Sequence, residues 1–163
     1  MKELDRTDIK ILAALQENGR IALTELAERV GLSTTPTSDR VKRLEREGVI
    51  EGYYARLNPR AVGCAQLVFV ELRLAAKSAE IFDQFRREVM KLPNIVECHL
   101  VSGDFDYLVK ARISDMSQYR TLLGDILLNL PGAVESRSYV VMEEVKETLA
   151  LPVVSQMKAR GHM

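Results

Sequence analysis

The sequence predicts an α+β chain with two folded parts, a three-helix domain at the N-terminus and a four-stranded α/β sandwich after it. Over the first fifty or so residues, apolar side chains recur at helical spacing and are interrupted by Gly19 and Gly31. Further on, strand patterns and helical patterns follow one another in the order βαββαβ. We therefore expect domains at 1–50 and 64–148, an extended wing and linker at 51–63, and a C-terminal tail at 149–163.

Composition and charge narrow the class of protein. Hydrophobic residues make up 47% and charged residues 28%, which is typical of a globular chain rather than a disordered one. The N-terminus is charged where a signal peptide would be apolar, and no apolar run reaches about 18 residues, so we expect a cytoplasmic protein with no membrane contact. Cys64 and Cys98 lie far apart and only two histidines occur, which predicts no disulfide framework, no metal site and no cofactor. Because the net charge is zero, any DNA binding must depend on local geometry.

The first two helices are bounded by polar residues and glycine. Asp5 is expected to cap the first helix, and Gly19 suits the left-handed position after its end. The second helix is predicted at about Leu23 to Val30, ended by Gly31. At about two turns it is too short to be stable alone, so packing against its neighbours must hold it.

The third helix is predicted to begin after Ser33, a good N-cap, with Pro36 in the first turn, where a missing N–H costs little. Val41 and Leu44 are expected to face inward. The basic residues expected to face largely outward are Arg40, Lys42, Arg43 and Arg46.

The segment after the third helix is predicted to be extended. Val49 to Leu57 has strand character, with Gly52 as a turn and Asn58-Pro59 as its end. It would serve as a wing beside the helices and as the linker to the second domain.

The second domain is predicted from alternating strand and helix patterns. The expected elements are a strand at Leu67 to Leu74, a helix at Ala79 to Leu92, strands at about Ile95 to Val101 and Tyr107 to Ile113, a helix capped by Asp115 with Gln118 at N3 and ended by Pro131-Gly132, and a strand at Val134 to Met142. This order fits a ferredoxin-like α/β sandwich.

The first strand of this domain predicts how the sheet is covered. Four alternate residues, from Val68 to Leu74, form one apolar side, while Leu67 and Phe69 lie on the other. Apolar residues on both faces imply a partner on the face without helices, so we expect a dimer through the sheet.

The N-terminal helices have the pattern of a DNA-reading unit, although a small helical bundle with a solvated face has the same pattern. A helix, a tight glycine turn and a second helix with a basic outer face deliver side chains into the major groove. Hydroxyls and free N–H groups at the start of the third helix suit phosphate contact, while Asp39, Glu45 and Glu47 offset part of the basic charge. The candidate DNA-binding residues are Ser33, Thr34, Thr35, Thr37, Arg40, Lys42 and Arg43.

Longer motifs indicate a resemblance to one protein family. Three runs of the N-terminal part together resemble the winged helix-turn-helix of the Lrp/AsnC (feast/famine) family. They are Asn18-Gly19-Arg20, Ala27 to Ser33, and Arg40-Val41-Lys42-Arg43-Leu44-Glu45. The runs Leu100 to Leu108 and Ser138 to Lys146 resemble the C-terminal domain of the same family, which has a RAM/ACT-like fold. The resemblance covers about residues 4 to 147. Ser33-Thr34-Thr35-Pro36-Thr37-Ser38 departs from the commoner Ser-Pro-x-Pro-Cys-Leu, so operator preference is not carried over.

A second candidate site is the segment between the second and third predicted strands of the second domain. On composition, Gly103-Asp104-Phe105-Asp106 is a turn; alternatively its N–H groups take a ligand carboxylate while Asp104 or Asp106 faces the ligand ammonium. The resemblance implies that this loop lines an amino-acid pocket at a contact between dimers. It also implies that Met116, Tyr139 and Val141 surround the side chain of a small amino acid such as leucine.

The resemblance implies a transcriptional activator or repressor of amino-acid metabolism, nucleoid-associated, that binds double-stranded DNA. Homodimers would assemble into octamers or higher oligomers, and the effector would act by favouring one assembly or domain arrangement. A ligand-independent architectural DNA-binding protein is the main alternative. An enzyme using Asp104, Asp106 and His99 is not expected, because alternate residues on a turn do not by themselves bring a nucleophile and a base together.

Overall fold

The structure is a computed structural model that describes residues 3–153 and divides into two compact units. We call them the reading unit, up to Arg56 together with the segment from Lys146, and the effector unit, Leu57–Val145. Of the predicted tail, residues 154–163 lie outside the described residues. No helix among the described residues is both long and apolar enough to cross a membrane.

The first helix, α1, spans Arg6–Glu17 and confirms the predicted cap. The Asp5 carboxylate accepts a hydrogen bond from the Asp8 amide, and the Asp8 carboxylate accepts one from the Asp5 amide, which closes a capping box. The expected left-handed Gly19 is wrong, because Gly19 does not take a positive φ. Asn18 makes the turn instead: its side-chain oxygen accepts from the Arg20 amide, so no left-handed residue is needed there.

The next two helices lie where they were predicted. Helix α2 spans Leu23–Val30 and ends at Gly31, whose φ of 75° is the left-handed conformation that glycine adopts most easily. Helix α3 spans Thr34–Arg46 after Ser33 at the N-cap position, although the Ser33 side chain makes no capping hydrogen bond. The core that joins the three helices contains Ile11, Leu12, Ala14, Leu26, Val30 and Leu44.

The predicted wing does not form a strand. Residues 49 and 50 bend back so that the amides of Val49 and Ile50 both donate to the Leu44 carbonyl. The rest of the segment to Leu57 has no strand partner among the described residues, and Gly52 makes no turn. A strand needs a neighbour to pair with, and no strand within residues 3–153 pairs with this segment. The turn at Asn58-Pro59 is confirmed.

The effector unit has the predicted βαββαβ order. Its elements are β1 Gln66–Leu74, α4 Ala79–Val89, β2 Ile95–Leu100, β3 Tyr107–Ile113, α5 Tyr119–Asn129 and β4 Ala133–Val140. The strands lie in the order β2-β3-β1-β4, and every neighbouring pair is antiparallel. This is the ferredoxin-like arrangement.

One face of the sheet carries both helices. Alternate residues of β1, from Val68 to Leu74, point into this core and are 0–4% exposed. Phe85 of α4 lies at its centre and stacks on Tyr107, with ring centroids 4.0 Å apart. Helix α5 contributes Leu122, Ile126 and Leu130 to the same core.

The start of α5 corrects a second predicted cap. The helix begins at Tyr119, and Asp115 lies in a preceding turn, where its carboxylate accepts from the Ser117 amide. Because Asp115 and Gln118 bond within this turn, they do not cap the helix, and Met116 lies outside it. Both Asp and Ser compete with helix formation in this way, by bonding to nearby backbone.

The open face of the sheet is less apolar than predicted. Leu67 and Phe69 do lie there, but the residues opposite them on β3 are charged, Arg112 and Lys110. The ion pairs on this face are Arg73 with Glu135, Lys110 with Glu97, and Arg112 with Glu144. Cross-strand charge pairing alternates with apolar residues, so only the centre of the face matches the expected apolar surface.

Candidate functional site: a helical reading head and an effector loop

The exposed side of α3 has the composition of a nucleic-acid contact. Ser33, Thr34 and Thr35 are exposed where the first N–H groups of the helix have no intrahelical partner. Further along, Lys42 and Arg46 are exposed one helical turn apart. Arg46 was predicted to face outward but was not among the DNA-binding candidates, although its i,i+4 spacing from Lys42 places both cations on one side of the helix. Hydroxyls, free amides and two cations on one helix can bind phosphate oxygens and base edges.

Thr37 does not belong to this exposed set. Its side chain is fully buried, and its hydroxyl donates to the Ser33 carbonyl at 2.9 Å. The bond satisfies a threonine that faces the helical core, as i−4 bonding of threonine does elsewhere. The expected phosphate contact by Thr37 is therefore wrong for the side chain.

Arg40 and Arg43 are held by acidic residues of α1 rather than free. Arg40 Nη1 lies 2.6 Å from an Asp5 carboxylate oxygen and 2.8 Å from Asp8 Oδ1. Arg43 Nη2 lies 2.6 Å from Asp8 Oδ2. The outward orientation predicted for Arg43 is wrong, since its side chain is 17% exposed, and Arg40, at 31%, is only partly outward. The reason is that Asp5 and Asp8, at the start of α1, supply carboxylates on the side of α3 that packs against it.

The titration of Asp8 reflects this network. Burial of the carboxyl raises its pKa, but hydrogen bonds from Arg43, from the Asp5 amide and from Arg40 outweigh burial and hold the pKa below its ordinary value of 3.8. The carboxylate is therefore charged at neutral pH, and the same contacts raise the pKa of both arginines.

The loop between β2 and β3 contains the predicted effector residues and one left-handed glycine. Gly103 has a φ of 145°, Asp104 is exposed and Phe105 is half-buried. Arg73 donates to the Asp104 carbonyl at 2.7 Å, which holds the loop against β1. The exposed amides and the Asp104 carboxylate are the groups of this loop that solvent, or a zwitterionic ligand, can reach.

Asp106 has a structural contact instead. It is 4% exposed, its Oδ2 accepts from the Leu74 amide at 2.8 Å, and its Oδ1 pairs with Lys77 Nζ at 2.7 Å. Burial raises the pKa of Asp106, but the Leu74 amide and Lys77 outweigh burial and keep it below 3.8. Both oxygens are occupied within the chain, so of the two predicted ammonium partners only Asp104 is exposed.

The remaining predicted pocket residues do not meet the loop. The loop precedes β3, whereas Met116 follows it, and seven strand residues separate them by about 20 Å at 3.3 Å each. Val141 lies at the Met116 end, because its amide donates to the Leu67 carbonyl, opposite Arg112. Tyr139 is near mid-sheet and donates to Glu71 Oε1 at 3.0 Å. Within one copy, the loop and the pair Met116 and Val141 therefore lie at opposite ends of the sheet.

Other reactive groups offer little chemistry. Among residues 3–153, no group of three His, Cys, Asp or Glu side chains could hold a metal ion. Burial raises the pKa of Cys98 to about 11, which keeps the thiol protonated and unreactive at neutral pH. His99 is exposed beside Glu97 at 3.4 Å.

Comparison with known proteins matches both units. A family model described as winged helix-turn-helix DNA-binding matches residues 4–51, and the model of the Lrp/AsnC ligand binding domain matches residues 67–151. The chain is 56% identical over 152 residues to the leucine-responsive regulatory proteins of Escherichia coli K12 and Salmonella typhimurium, covering 93% of each chain.

Two solved structures are similar to this chain over most of its length. A transcriptional regulator from Neisseria meningitidis, crystallised as a complex with L-Met, is 37% identical with a TM-score of 0.88, covering 94% of this chain and 99% of that one. An AsnC family regulator from Agrobacterium tumefaciens is 36% identical with a TM-score of 0.89, covering 93% and 99%.

Proposed function

The chain belongs to the Lrp/AsnC family of DNA-binding transcriptional regulators, and from this premise we propose that a small amino acid bound by its effector unit sets its operator binding or its assembly. The observation that carries this proposal is that one chain joins a reading unit to a ligand-binding unit, each matched by its own family model. We propose that the chain regulates amino-acid metabolism at the nucleoid, in the cytoplasm.

The reading unit is proposed to bind DNA through the exposed side of α3. Ser33, Thr34, Thr35 and the free amides of the first turn would contact phosphates. Lys42 and Arg46 would reach phosphates or base edges in the major groove. The exposed groups of α3 differ in kind from the buried Thr37 and the paired arginines, which act on the position of the helix.

The effector is proposed to be an apolar amino acid, leucine or methionine first. Relatives are named for a leucine response, and the neisserial neighbour was crystallised with L-Met. The amides of the Gly103 loop would take the carboxylate, and Asp104 would face the ammonium. Half-exposed Met116 and half-buried Val141 are apolar and would accommodate an aliphatic or thioether side chain.

The separation between the Gly103 loop and the pair Met116 and Val141 suggests where the effector binds. A small amino acid cannot span about 20 Å along β3, so the loop of one copy and the Met116 end of another would have to meet. We therefore propose homodimers that assemble further, to an octamer or beyond, with the effector at the seam between copies. Such a ligand changes assembly by its differential affinity, typically about 1 to 3 kcal/mol.

Calorimetry on the full chain tests the proposal. Leucine, methionine and alanine are titrated separately, and DNA binding is measured with and without each amino acid. We expect heat with at least one amino acid, and a change in DNA affinity or in sedimenting mass with the same one. Asp104→Asn, which removes the exposed carboxylate, should weaken that heat.

The alternatives give different results in the same experiment. DNA binding with no heat and no change in mass would identify a ligand-independent architectural protein. Chemical turnover of an amino acid by the pure protein would indicate an enzyme. Failure to bind any duplex at low ionic strength would contradict the proposed DNA-binding role of the reading unit itself.

A further inference from the structure

The acidic residues at the start of α1 form a carboxylate site for the arginines of α3. Asp8 accepts from Arg40 and Arg43 at 2.8 Å and 2.6 Å, and Asp5 accepts a second contact from Arg40 at 2.6 Å. Three charged contacts therefore cross from α1 to α3, and the capping box of α1 holds both carboxylates in place.

Burial places the contacts of Asp8 in the interior of the unit, whereas the contact between Arg40 and Asp5 is partly exposed, with side chains 31% and 51% exposed. Asp8 is 1% exposed, and the Arg43 side chain is 17% exposed. Arg43 Nη1 is buried with no hydrogen-bond partner, 3.9 Å from an equally buried Glu47 oxygen. A buried carboxylate is stable only when it is paired, and a guanidinium buried in this way does not project into a groove.

We propose that Asp8 is a positioning residue for DNA recognition, which holds α3 in register with α1 by binding Arg40 and Arg43 and withdraws both cations from the DNA-facing set. The proposal rests on the proposed DNA-binding function. It assigns the phosphate contacts made by cations of α3 to Lys42 and Arg46.

The charges of α3 give this proposal a measurable consequence. Each cation that neutralises a phosphate contributes a slope of about −0.9 to the dependence of log K on log salt. If Asp8 holds Arg40 and Arg43, neither contributes to the slope of the native protein, whereas Lys42 does. Loss of the Asp8 charge would release the arginines, steepen the slope and favour binding to any sequence.

The experiment measures anisotropy of labelled duplexes with the full-length protein across a range of KCl concentrations. One duplex carries an operator selected from random sequence, and the other is unrelated. The test variant is Asp8→Asn, and Glu28→Gln on the exposed side of α2 is the control for the same change in net charge. Asp8→Glu keeps the charge and should restore part of the native behaviour.

We expect Asp8→Asn to bind the unrelated duplex more tightly, with a slope steeper by about 0.9 for each arginine released. Discrimination between the duplexes should fall by about tenfold, comparable to the loss of one good base contact. Lys42→Gln should flatten the slope by about 0.9, and Arg43→Gln should leave it unchanged. Glu28→Gln should retain native discrimination.

Three results separate the possibilities. If Arg43→Gln flattens the slope as Lys42→Gln does, Arg43 contacts phosphate and the proposal is wrong. If Asp8→Asn lowers affinity for both duplexes equally with no change in slope, Asp8 is structural only, which also overturns it. If the native protein and Glu28→Gln bind neither duplex, the proposed DNA-binding function has failed rather than the role of Asp8. Circular dichroism on each variant establishes that the reading unit is folded.

Discussion

Replacement of Asp106 by alanine separates a structural role from a ligand contact. The substitution removes the acceptor of the buried Leu74 amide and the partner of Lys77. It therefore acts first on the connection between β1 and the loop that precedes β3, before any effector is present. We expect a loss of stability in the protein without ligand.

The magnitude follows from the two contacts. A buried donor left without its acceptor costs about 1 to 3 kcal/mol. Lys77 is 63% exposed, so its pairing adds between about 0 and 1 kcal/mol. We expect about 2 kcal/mol in total, and for a unit the size of Leu57–Val145 this lowers Tm by about 8 to 16 °C.

The measurement is thermal unfolding of the full chain by calorimetry at one fixed protein concentration, because assembly would change Tm. Asp104→Ala is the matched control, since it removes the same charge from the same loop but keeps the backbone carbonyl that accepts from Arg73. The control should stay within about 0.5 kcal/mol of the native protein. Equal Tm values for Asp106→Ala and the native protein would refute this reasoning and return Asp106 to the ligand-facing groups.

Three further predictions concern other parts of the chain. Acidification should destabilise the fold, because the pKa values of Asp8 and Asp106 are lowered in the folded state. The stabilisation from these two carboxylates is full above their unfolded pKa near 3.8 and is lost as pH falls through the lower folded values. A free energy of unfolding in urea that stayed constant from pH 5 to 2 would contradict this. Gln16→Ala should release the segment at Leu151, because the Gln16 side-chain amide donates to the Leu151 carbonyl at 3.1 Å and accepts from the Leu151 amide at 2.6 Å. The rate of hydrogen exchange at the Leu151 amide should rise by at least several-fold. An unchanged exchange rate would argue against the contact. Gly132→Ala should lower the free energy of unfolding in urea by about 1 to 3 kcal/mol, since the φ of 77° is left-handed and the added Cβ would lie 3.1 Å from Cγ2 of Ile81 in α4. A stability equal to that of the native protein would exclude both the backbone strain and the steric contact.

Much of the fold could be predicted because its causes are local in sequence. Helix α2 and strand β3 have the predicted bounds, since apolar periodicity marks both elements and Gly31 ends α2. The βαββαβ order followed from the same patterns and is confirmed. The errors at Gly19 and Asp115 arose where a short polar side chain bonded to its own turn, an outcome that spacing alone does not predict.

The candidate sites could be predicted only in part, and the reason is physical. By itself, the sequence determined which residues carry charge, which faces are apolar and where the two candidate sites lie along the chain, because these depend on residue type and periodicity. Only the tertiary structure decided that Arg40 and Arg43 bind α1 and that Asp106 binds β1, while Lys42 and Asp104 stay exposed. An ionic side chain binds whichever partner folding brings within about 3 Å, and packing between distant segments selects that partner.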